Sequence, residues 1–92
     1  MLTNKNILIG VTGGIAAYKT AELTREFVKK GANVKVIMTK NATEFITPLT
    51  LQTLSRNPVY TDMYALAGDF SIAHISLAEE ADLVVIAPAT AN

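Results

Sequence analysis

The chain has 92 residues, half of them hydrophobic and 17% charged, a composition that excludes disorder and suits one compact unit at the lower end of domain size. Eight basic and eight acidic residues cancel to a formal net charge of zero, which removes any overall pull towards nucleic acid or an anionic membrane. Cysteine is absent, so this stretch holds no disulfide framework, thiolate metal site or nucleophilic thiol, and its one histidine cannot build a zinc site without carboxylates.

Lys5 to Val11 (KNILIGV) is a short, nearly continuous apolar run, which predicts a strand buried on both faces of a parallel sheet. It is too brief for a secretory core and breaks at Thr12-Gly13-Gly14, so a cytoplasmic protein is expected. From Ile15 to Lys30 the apolar positions take helical spacing, with lysines in the last turn and Gly31 as the stop. Asn33 to Thr39 (NVKVIMT) is the second strand, completing one βαβ unit with a right-handed crossover. Ala42 to Phe45 reads as a single helical turn, and Pro48 in the first turn of Thr47 to Leu54 marks a second helix before the polar Ser55-Arg56-Asn57 break. Val59-Tyr60-Thr61 is a weak strand, Tyr64 to Ile72 a loop, and Ser76 to Ala81 a short helix. Asp82 to Ala87 (DLVVIA) is the third strong strand, far shorter than the roughly 20 residues that span a bilayer. Strands alternating with helices define an α/β fold with a doubly wound parallel sheet.

A glycine turn between the first strand and helix offers backbone N–H groups and a helix start to an anion. The dinucleotide fingerprint G-x-G-x-x-G fails, because with Gly10 first it needs glycine where Thr12 and Ile15 stand. The P-loop pattern fails at Tyr18, whose side chain would block the backbone approach that cradles phosphates. An ordinary tight βα turn is the plain alternative. In an open α/β sheet, ligands sit at the carboxyl ends of the strands, where Thr12-Gly13-Gly14, Thr39-Lys40-Asn41 and Pro88 to Asn92 converge. Their hydroxyls, amides and backbone N–H groups can hold a phosphate without an arginine cluster, with Lys40 adding charge. His74 is the one side chain whose unperturbed pKa lies near neutrality, which suits proton transfer, although a lone histidine also serves as a structural helix-start residue. Glu79, Glu80 and Asp82 are assigned solvated or capping roles.

Four segments in order, GVTGGIAAYKTAEL, VIMTKNATEFITP, HISLA and ADLVVIAPATAN, resemble the flavin-dependent cysteine decarboxylases along the whole chain. The resemblance is strongest to the branch that converts 4'-phosphopantothenoylcysteine to 4'-phosphopantetheine in coenzyme A biosynthesis, in which a phosphopantothenate–cysteine ligase half can follow. It implies a Rossmann-like or flavodoxin-like sheet with bound FMN. Gly14, Ile15 and Ala16 would hold the FMN phosphate or ribityl chain, and Thr39, Lys40 and Asn41 would line the same cofactor. Thr90, Ala91 and Asn92 match most of the family's Pro-Ala-Ser-Ala-Asn-Thr element, with threonine in place of serine. His74 matches the histidine needed for the chemistry, as base or substrate holder while FMN oxidises the cysteine thiol to a thioaldehyde and so eases loss of the carboxylate.

The resemblance further implies a homo-oligomer, a trimer or a multiple of trimers, acting on a small-molecule substrate with neither nucleic acid nor membrane as partner. The family's later Pro-x-Met-Asn element and proton-returning cysteine have no counterpart here, so residues 1–92 are expected to be the N-terminal part of an FMN-binding domain, without turnover by themselves. A non-catalytic flavin- or nucleotide-binding module, an FMN-dependent prenyltransferase relative and a ligand-free structural fragment are the competing readings.

Overall fold

A computed structural model describes residues 3–13, 15–62 and 77–87. Strand β1 (Asn6–Val11) leads into a 3-10 turn (Ile15–Tyr18) and helix α1 (Lys19–Lys29). Strand β2 (Asn33–Thr39) follows, then a second 3-10 turn (Asn41–Glu44), helix α2 (Pro48–Ser55) and strand β3 (Val59–Asp62). Residues 77–80 are helical, and strand β4 (Leu83–Ala87) ends the described chain. The strands form one sheet in the order β3-β2-β1-β4, every pair parallel. From β1 the chain steps outward through β2 to β3, then returns to the other side of β1 for β4. The order therefore reverses between β1 and β4, the topological switch point of a doubly wound sheet.

Alternation along β1 and β2 places the core. Ile7, Ile9 and Val11 pair in register with Val34, Val36 and Met38, and all six are essentially inaccessible to solvent. Ala17, Ala42 and Leu51 close over them from the helical layer, with Ala21, Phe27 and Val28 of α1 packed alongside. At about 1.5–3 kcal/mol for each fully buried aliphatic side chain, this face is the main source of stability. On the opposite face Leu8 is also buried, as is Leu77 of the short helical segment. The two-sided burial expected of β1 is thus observed. Strand β4 pairs with β1 alone among the described residues, and its Leu83, Val84 and Ile86 are 48%, 47% and 57% exposed.

The amino ends of the strands are tied by side-chain amides. Asn33 Nδ2 donates to Asn6 Oδ1 (3.0 Å), and Asn57 Nδ2 donates to Asn33 Oδ1 (3.2 Å) and to the Val34 carbonyl (2.6 Å). The Asn6 N–H donates to Asp82 Oδ2 at 2.7 Å, and the Asp82 N–H donates to the Asn6 carbonyl at the same distance. Asp82, assigned a solvated or capping role from sequence, caps a strand end across the sheet.

The segment from Ile15 to Lys30, expected as one helix, is wound at its start as a 3-10 turn. No side chain caps the start of α1, the Thr20 hydroxyl donates to the Ala17 carbonyl, and Ala17 is fully buried. The tight first turn is set by this local bond and by packing, neither visible in apolar spacing. The other end follows the sequence signal. Gly31 takes φ 91°, its N–H donates to the Val28 carbonyl, and the Ala32 N–H donates to the Phe27 carbonyl, a Schellman stop. Helix α2 has the expected Pro48 at its start and the Thr47 hydroxyl accepting from the Thr50 N–H at 3.2 Å.

Candidate functional site

The carboxyl ends of β1 and β2 lie side by side, Val11 pairing with Met38, and Val11 pairs with Ala87 of β4 on the other side. The turns leaving β1 and β2 thus share one edge of the sheet at the switch point. Residues 12–20 and 39–43 contain Lys19 and Lys40 and no carboxylate. Glu22 and Glu44 stand just beyond these stretches, and the start of the helical segment after β1 carries the partial positive charge of a helix N-terminus. Donors of this kind, backbone N–H, hydroxyl and carboxamide, fit a phosphate-bearing ligand held by a neutral cradle. The edge therefore meets the chemical requirement of a phosphate group.

The β2 turn is closed by its own hydrogen bonds. Thr39 is half-buried and its hydroxyl accepts from the Ala42 N–H at 3.1 Å, capping the 3-10 turn. The Lys40 carbonyl accepts both the Thr43 N–H (3.1 Å) and the Thr43 hydroxyl (2.6 Å). The Ala42 side chain is fully buried, and its carbonyl accepts from the N–H groups of Phe45 and Ile46. Lys40 and Asn41 are exposed at the edge of this frame.

The two turns touch through Asn41. A methyl group added to Gly13 would lie 2.7 Å from Asn41 Cγ and closer still to Nδ2, so the carboxamide rests on the bare α-carbon of Gly13. Gly13 does not use the left-handed backbone region that often makes glycine necessary. Its lack of a side chain matters for space. The pairing joins a residue expected to line the cofactor to one in the glycine turn that the sequence placed at the same ligand edge.

Of the residues singled out from sequence, Thr39, Lys40 and Asn41 are brought to the edge together. Ile15 and Ala16 begin the 3-10 turn that follows β1, on the same edge. Gly14, His74, Thr90, Ala91 and Asn92 lie outside the described residues. Lys19 is exposed, and Tyr18, the residue that broke the P-loop pattern, is 55% exposed. Among the described residues no helix is long and apolar enough to cross a membrane.

With the geometry in place, comparison with known proteins decides the family. The model of the family described as "Flavoprotein" matches residues 1–92. The chain belongs to the flavoprotein family. A flavin is the class of cofactor that this membership brings. The chain is 54% identical over 92 residues to the "Coenzyme A biosynthesis bifunctional protein CoaBC" of Bacillus subtilis, covering all of this chain and 23% of that protein. It is 51% identical over 88 residues to the "Probable phosphopantothenoylcysteine decarboxylase" of Streptococcus mutans, covering 96% of this chain and 49% of that one. The flavoprotein-family chain thus spans about a quarter to a half of the length of these relatives. Among solved structures, the FMN-dependent cysteine decarboxylase SpaF superposes with a TM-score of 0.75 at 26% identity, over 97% of this chain and 51% of SpaF.

Proposed function

We propose that this chain forms part of an FMN-dependent decarboxylase that converts 4'-phosphopantothenoylcysteine to 4'-phosphopantetheine in the cytoplasm, as an oligomer. The observation that carries this reading is the shared edge at the switch point. Two turns rich in neutral donors meet there, in a chain whose 92 residues are 54% identical to part of a coenzyme A biosynthesis protein. When bound, FMN would take two electrons from the substrate's cysteine thiol, easing loss of the carboxylate as CO₂, and would return them to the resulting enethiol, so that the product is again a thiol.

This chain's own residues have the remaining tasks. The helix start after β1, including Gly14, Ile15 and Ala16, holds the phosphate of the cofactor with its N–H groups. Thr39, Lys40 and Asn41 bound the cofactor on the β2 side, with Lys40 contributing charge. Thr90, Ala91 and Asn92 follow β4, the strand across the switch point, and complete the cradle. His74 takes or holds the thiol proton of the substrate, the role for which an imidazole is suited near neutral pH.

The test uses the intact protein, loaded with FMN and supplied with 4'-phosphopantothenoylcysteine, with release of CO₂ as the readout. Wild-type protein is expected to release CO₂, and His74→Asn to retain bound flavin while losing turnover by about 10²-fold or more. Full activity in His74→Asn would return that residue to a structural role, and absence of CO₂ release from the wild type would overturn the assignment.

A further inference from the structure

The hydrogen bonds described for the β2 turn fix its backbone, while the Asn41 side chain reaches outward to Gly13. Asn41 stands at the first position of the 3-10 turn that Thr39 caps and the Lys40 carbonyl closes. Its α-carbon is therefore held by the frame of β2 and not by the segment it touches. Its carboxamide fills the place where a side chain on Gly13 would be, with Nδ2 nearest and Cβ still only 3.3 Å from that position. Gly13 itself is bound on one side by β1, which ends at Val11, and leads on the other into the turn that starts the helical segment. The Asn41 carboxamide, carried by a hydrogen-bonded turn, is thus packed directly on the β1–α1 turn at Gly13.

We propose that Asn41 is a positioning residue for the β1–α1 turn, acting as a latch whose seat is the missing side chain of Gly13. The latch holds the N–H groups of that turn in the conformation that receives an anionic ligand. This rests on the flavin reading for the identity of the ligand, and on the structure alone for the latch. Gly13 is required for room. Any side chain there evicts the carboxamide, so altering Gly13 and removing the Asn41 side chain are two ways of making one lesion. The consequence is a specific pattern of non-additivity, because residues that share one contact do not contribute independently.

The experiment compares wild-type intact protein with Gly13→Ala, Asn41→Gly and the double variant. The readouts are the dissociation constants for FMN and for riboflavin, which lacks the phosphate, and the urea midpoint of each protein. Loosening one set of phosphate donors is worth about 1–1.5 kcal/mol, so each single variant is expected to bind FMN about tenfold more weakly, with Gly13→Ala binding riboflavin as the wild type does. The double variant is expected to be no worse than either single one. An unaffected Gly13→Ala, losses that multiply to about a hundredfold in the double variant, or equal weakening of both flavins by Gly13→Ala would each overturn the latch. If the wild type binds neither flavin, the functional reading fails separately. The urea midpoints then decide the latch, with non-additive losses supporting it and additive or absent losses refuting it.

Discussion

Thr24 lies on the face of α1 that is turned into the protein, fully inaccessible to solvent, and its hydroxyl has no hydrogen-bond partner among the described residues. Thr20, one turn earlier and also buried, donates to the Ala17 carbonyl instead, so two chemically identical side chains on one helix stripe meet opposite fates. An unsatisfied buried hydroxyl costs about 1–3 kcal/mol in lost hydration, and valine has nearly the same shape without that cost. Thr24→Val is therefore expected to stabilise the protein by about 1 kcal/mol in urea unfolding, and a fall in stability would show that the hydroxyl is satisfied. At this scale the sequence was least informative. Asn41 was legible as a polar residue at a strand end, but its seat on Gly13 depends on β1 and β2 being adjacent and in register. The same holds for Asn6, Asn33 and Asn57, whose ladder exists only once three strands are aligned.

Elements were more legible, because their signals are local. Strand β2 runs from Asn33 to Thr39 as its alternation indicates, and β1 starts one residue later than expected. Gly31 and Pro48 mark the boundaries their backbone chemistry demands. Arg56 shows where composition is a poor guide. It ends α2 in the left-handed region (φ 65°), with its N–H donating to the Gln52 carbonyl, a position that glycine fills without steric cost. Relief of that cost exceeds the added freedom of the unfolded chain, so Arg56→Gly is expected to raise stability by about 0.5–1 kcal/mol. An unchanged or lower thermal midpoint would mean that the long arginine side chain contributes packing that outweighs the backbone term.

At the scale of the whole molecule, the β3-β2-β1-β4 order accounts for where a ligand belongs, and the doubly wound parallel sheet was legible from the alternation of strand and helix patterns. Placing the switch point between β1 and β4 required the pairing itself, since nothing in DLVVIA says which neighbour it takes. Neutral net charge is consistent with a protein that holds its phosphate by N–H groups and hydroxyls and not by a basic patch. The central claim is that this edge receives flavin mononucleotide, and titration of the purified intact protein with FMN, followed by visible absorption after removal of free ligand, tests it most directly. The account predicts one flavin retained per chain with a perturbed flavin band. Flavin that washes away completely, with the spectrum of free FMN throughout, would contradict it.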